Sequence, residues 1–184
     1  MSDLPAEPPA PTQQAWTELT HTDHQQAWAA FHARYHFRAS PHPEDWPAIH
    51  EPTPSLTFDL TAINDGAQRA AAYDAINAEA LRCFLWALHD VDELLVLDWQ
   101  HPTHILRPHQ QALTDPTHWQ VPVYPDGDYC AFFTPDLTEG TFGHPWEKSL
   151  CVIGPRLIDS LGRSLSTWLP LLRQDGQLMH ERSR

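Results

Sequence analysis

Three short stretches bring together the side chains that acid–base or ligand-binding chemistry requires. The apolar run "ELLVL" ends in Asp98, Trp99, Gln100 and His101; "YPDGDYCAFF" carries Asp126, Asp128 and Tyr129; "FGHPWEK" carries His144, Trp146 and Glu147. A histidine held beside a carboxylate can act as a general base with its orienting acid, so Asp98, His101, Asp128, His144 and Glu147 around one pocket would suit a small hydrolase. The same residues, framed by Trp99, Tyr129 and Trp146, would equally serve a non-catalytic binding surface, because aromatic side chains carry large binding energy per residue. Convergence of Asp98, Asp128 and His144 on one concavity would favour the hydrolase; dispersal would favour binding.

Each residue also has a structural reading. Asp98 is expected to be anchored by donors at the strand end, or to bond the backbone near Thr103, leaving His101 accessible. Asp126 before Gly127 is explained by a turn, Asp128 less so. Gly143 is expected to supply a backbone shape closed to residues with a Cβ, while Pro145 keeps His144 extended. Trp146 is expected to be buried and Glu147 to sit at the loop edge. Neither His101-x2-His104 nor His32-x3-His36 has the companions of a zinc site, and with 13 histidines such spacings arise by chance, so no metal is expected. Phosphate loops, dinucleotide fingerprints and nucleophile elbows are absent, and no cofactor is expected.

The elements that must position these residues follow from periodicity. "TDHQQAWAAFHARYHF" places Trp28, Phe31 and Tyr35 at helical spacing, with Thr22 or Asp23 as N-cap. Prolines 41, 43, 47, 52 and 54 force an extended loop pinned by Trp46 and Ile49. "SLTFDL" alternates as a strand, and a long helix follows from Asp65 or Gly66 to Leu88. "ELLVLDW", "THILRP", "YCAFFT" and "SLCVIG" read as further strands. A polar, proline-containing loop follows "THILRP", and "PDLTEGTFGHPWEK" reads as the bridge between the last two strands. A closing helix begins at Pro155 and ends near Pro170. The expected fold is α+β: a mainly antiparallel sheet of about five strands covered by helices, in one domain over residues 14–176, between a disordered proline-rich tail at 1–13 and a C-terminal tail at 177–184.

The formal charge of −13 argues against nucleic acid and suits a basic protein partner or a small ligand. No apolar run is long enough to span a bilayer, and the N-terminus lacks the features of a secretory signal, so a cytoplasmic location is expected. Cys83, Cys130 and Cys151 sit in apolar runs and read as core thiols. Taken together, "EDWPAIHEPTPS", "LDWQHP", "YPDGDYCAFF" and "FGHPWEKSLCVIG" resemble a family of small bacterial proteins catalogued as domain of unknown function 2716, over about Trp28 to Gly176. Cys130 and the proline-rich N-terminus depart from that pattern. The resemblance implies neither a reaction nor a catalytic residue.

Overall fold

Strand alternation propagates across one sheet, because residues directly opposite in antiparallel pairs share a face. The computed structural model describes residues 14–179. The expectations for residues 1–13 and 180–184 lie outside the described residues. Helices and strands are mixed as expected, but among the described residues the sheet has nine strands, not about five, in the order β1-β4-β3-β5-β6-β7-β2-β8-β9. The strands are β1 Trp16–Glu18, β2 Ser55–Asp59, β3 Leu94–Asp98, β4 His104–Leu106, β5 Cys130–Phe133, β6 Gly140–His144, β7 Ser149–Ile153, β8 Leu171–Gln174 and β9 Gln177–Leu178. Every pairing is antiparallel.

Four of these strands differ from the sequence expectation. β6 lies within the stretch expected to be a bridge, where glycines suggested turns. Gly140 is required by contact: a Cβ there would come within 2.2 Å of the Phe132 carbonyl oxygen and 2.3 Å of the Phe133 ring. At Gly143 the constraint is likewise a neighbour, Cys130 Sγ at 2.8 Å from a Cβ, and not a positive φ, which corrects the expected special backbone. β1, β8 and β9 are too short to show a period; β9 carries the sheet to Leu178, past the expected domain end.

Helices cover both faces. α1, His21–Tyr35, is capped by Thr20, whose hydroxyl accepts from the Asp23 amide, two residues before the earlier of the expected caps. It buries Phe31 and Tyr35 against Leu97, Ala131, Phe133 and Phe142 on one face of the sheet. α2, Gly66–Ala87, begins at the expected cap, Asp65, and packs Ile76, Ala80 and Phe84 against Phe58, Val96, Phe132 and Val152 on the other. With both faces covered, the central strands β5, β6 and β7 are buried at every position, so β5 and β7 read as largely apolar runs while β6 buries glycines, Thr141 and His144 as well.

The proline-rich loop joins α1 on its face. Ala48 and Ile49 are buried, the Arg38 amide donates to the Ala48 carbonyl, and the His50 amide donates to the Tyr35 carbonyl. The stretch expected to be a polar loop contains α3, Pro108–Thr114, whose Gln111 accepts a 2.6 Å hydrogen bond from Trp16 Nε1. The closing helical segment starts at Pro155 as expected and passes through a π-helical turn, Ile158–Gly162. All three cysteines are free and buried, and burial raises the Cys83 thiol to about 11. Among the described residues no helix is long and apolar enough to cross a membrane.

Candidate functional site

The register divides the candidate residues between the two faces of the sheet. Asp98 pairs with Cys130, which pairs with Gly143, and this row faces α2. Tyr129, Phe142 and His144 face α1. Asp98 and Asp128 therefore converge while His144 does not join them, and the five acid–base residues form two separate clusters.

On the α1 side, His144 and Glu147 sit at the β6–β7 turn in a buried network. Arg173 of β8 donates from Nη1 and Nη2 to the two Glu147 oxygens at 2.6 and 2.7 Å. From Nε and Nη2 it donates to Glu51 at 2.8–3.0 Å. The Arg173, Glu51 and Glu147 side chains are 7%, 1% and 5% exposed. Ser149 and Thr57 hydroxyls donate to Glu147 and Glu51, supplying the further hydrogen bonds that buried ions need. Burial, the largest influence on Glu147, works to raise its carboxyl, but the Arg173 hydrogen bonds and charge hold it below its ordinary value. Glu147 is thus a buried paired acid and Trp146 is 38% exposed, reversing both expectations. The cause lies in Arg173 and Glu51, 122 residues apart, which no local spacing could reveal.

His144 is enclosed in the same way. Burial lowers its pKa to about 4, against a smaller opposing influence from Glu147. Its Nδ1 accepts from the Glu147 amide at 3.0 Å, which places the ring proton on Nε2, 3.4 Å from the Tyr129 oxygen. Tyr129 donates to the Ser40 carbonyl and accepts from the Ser40 amide. Trp46, Tyr129 and Trp146 ring the imidazole at centroid distances of 5.4, 4.7 and 6.3 Å. Trp99 stands edge-on to Tyr129 and Trp146. A neutral imidazole with both nitrogens occupied and no water-facing side holds structure together and has no free position for proton transfer.

The α2-side cluster is open. Asp98, His101, Asp126, Asp128, Gln120 and Cys130 line a cavity of about 170 Å³. His101 reaches it from the β3–β4 connection, where Gln100 turns the chain with φ +65°. Its Nδ1 lies 3.9 Å from Asp98 Oδ2 and its Nε2 lies 3.5 Å from Asp128 Oδ2. Side-chain exposure is 47% for His101, 34% for Asp128 and 21% for Asp98, so the group is reachable from solvent. Burial is the main influence that raises the Asp98 carboxyl; His101 counters it and Asp128 adds to it. Among the described residues the His101 imidazole is the group placed against the Asp98 carboxylate, and no backbone amide anchors it, contrary to expectation. Asp126, explained from sequence as a turn residue, also lines this cavity and pairs with Arg69 of α2. Among the described residues no group of three or more His, Cys, Asp or Glu is placed to hold a metal ion.

Comparison with known proteins adds a family and no reaction. The profile of the family described as "Protein of unknown function (DUF2716)" matches residues 18–158, a span that ends before the Gly176 reached by the resemblance. An uncharacterised Bacillus subtilis (strain 168) protein, YxiI, is 31% identical over 115 residues, covering 60% of this chain and 71% of that relative. No solved structure matches.

Proposed function

The chain belongs to the family described as protein of unknown function (DUF2716), and from that premise we propose that it is a cytoplasmic, non-catalytic binding module whose acid pocket seats a basic side chain of a protein partner, neutralising it. The observation that carries this reading is the placement of Asp98, Asp128 and Asp126 around one solvent-reachable cavity, with His101 as their exposed neighbour. A guanidinium offers a planar set of donors that two carboxylates can accept together. The cavity volume of about 170 Å³ suits the tip of one side chain, below the roughly 300–1,000 Å³ of small-molecule sites. The formal charge of −13 would speed encounter with a basic partner.

The rival reading is a small hydrolase in which His101, between two carboxylates, is the general base. What weighs against it is that His144 and Glu147, the other residues that chemistry would draw on, are engaged on the opposite face. The test immobilises the full chain and its Asp98→Asn/Asp128→Asn variant and compares what each captures from bacterial lysate, alongside a titration with N-acetyl-arginine amide followed by NMR. The expected result is a basic protein captured by the wild type alone and lost at high salt, with shifts centred on His101. Equal capture by both proteins, or turnover of an ester or amide panel that only the wild type supports, would overturn the binding reading.

A further inference from the structure

A second pocket, of opposite polarity, lies on the other side of the 120–128 segment. We propose that this pocket, between the start of α2 and the β6–β7 turn, binds a small aromatic carboxylate. It encloses about 310 Å³, with Leu60 and Ile63 as apolar lining, Tyr124 and Trp146 as aromatic lining, and Arg69 and Lys148 as its cations. Lys148 is the chain's single lysine. It occupies the αL position of the turn, φ +53°, and its carbonyl accepts a 2.9 Å hydrogen bond from the Leu60 amide, which fixes the backbone that carries the ammonium group.

The aromatic walls are held as firmly. Trp146 is 38% exposed, and its ring is braced by Trp99 and Tyr129 at 6.0 and 5.0 Å between centroids. Tyr124 is set by Asn77 of α2, whose Oδ1 accepts from the Val123 and Tyr124 amides at 2.7 and 3.2 Å. Such walls are organised before a ligand arrives, so little ordering entropy opposes binding.

The ligand's chemistry follows from charge and shape. Arg69 is already paired with Asp126, so the pocket brings one further positive charge, that of Lys148, to a ligand. A monoanion matches it, whereas a phosphate dianion would lie near the Asp126 carboxylate. A flat ring laid against the exposed Trp146 ring gains both area burial and stacking, and the volume is at the lower end of the range for small-molecule pockets. The site borders the acid pocket through the 120–128 segment and the Arg69–Asp126 ion pair; its remaining residues come from α2, its N-terminal approach and the β6–β7 turn.

The test is NMR titration of the full chain with benzoate, benzamide and acetate, each to 20 mM. Benzoate is expected to shift Asn64, Tyr124, Lys148 and the Trp146 indole, with benzamide and acetate each at least about tenfold weaker, the loss of one good contact. Lys148→Gln is expected to weaken benzoate by a similar factor and Lys148→Arg to restore it within about threefold. If Lys148→Gln does not fold, Arg69→Gln, at an exposed position, takes its place: it leaves the Asp126 carboxylate uncompensated beside the pocket and is expected to weaken benzoate in the same direction. Benzamide binding as well as benzoate, acetate binding as well as benzoate, shifts scattered away from this pocket, no saturation by 20 mM, or indifference to the Lys148 and Arg69 substitutions would each overturn the proposal.

Discussion

Glu147 and Asp98 are both carboxylates near strand ends beside a histidine, yet they stand in opposite conditions. Glu147 is enclosed and matched: two guanidinium nitrogens, a serine hydroxyl and a neutral histidine surround it, and its carboxyl is held low. Asp98 is part-buried and poorly matched: an exposed imidazole lies 3.9 Å away, and burial pushes its carboxyl up. The first cluster stabilises the fold because its polar groups satisfy one another. The second has bonding capacity left over, which is what a binding site needs. Residue type therefore does not separate structure from function in this molecule; the supply of partners does.

Arg173→Met should show the contrast most strongly, because it strands two buried carboxylates. A loss of about 3–5 kcal/mol in denaturant melts is expected, the cost of breaking a buried ion pair. A loss under about 1 kcal/mol would mean that water reaches the network and that the two regions are alike.

Acid titration should give the next largest effect. His144 has a folded pKa near 4 and an ordinary value of 6.5, so between these values the unfolded chain takes up a proton that the folded chain refuses. Stability should therefore rise from pH 4 to 6.5 by up to about 3 kcal/mol from this group and be insensitive to it above that window. Glu147 adds a second loss as pH falls through its lowered pKa, at the acid end of the scale. His144→Gln should flatten the 4-to-6.5 part of the profile; an unchanged slope there would place the responsible proton elsewhere.

Glu147→Gln should cost about 1.5–3 kcal/mol at pH 7, the range for hydrogen bonds to charged groups. If this loss matches that of an exposed glutamate such as Glu44, the enclosed cluster does not contribute as described.

The open cluster should respond in the other direction. With its carboxyl raised in the folded state, Asp98 favours folding when protonated and disfavours it as pH rises through its folded value, so Asp98→Asn should stabilise by about 0.5–1 kcal/mol at pH 7 and by nothing at pH 3. His101→Gln should change stability by less than about 0.5 kcal/mol. Destabilisation by Asp98→Asn at neutral pH would make Asp98 an anchor and erase the distinction between the regions.

Local chemistry in the sequence determined the elements that carry their own signal. Asp65 before α2, the strand β2, the apolar stripe of the long helix, Pro155 at the start of the closing segment and the buried thiols all follow from interactions within a few residues, although both faces of β2 are covered and Ser55 and Thr57 are buried with Phe58. The candidate stretches were legible too, since acids and histidines beside apolar runs must find partners. Tertiary structure alone decided which partners they found. β6 was hidden because its glycines answer to the Phe133 ring and Cys130 on the neighbouring strand, and β8 because a lone arginine in "LLRQDG" gives no sign of two glutamates waiting elsewhere. The division of the site followed from register: in an extended chain neighbouring side chains point to opposite faces, so Tyr129 and Cys130, adjacent in sequence, belong to different sides of the sheet, and His144 with Glu147 was carried away from Asp98 and His101.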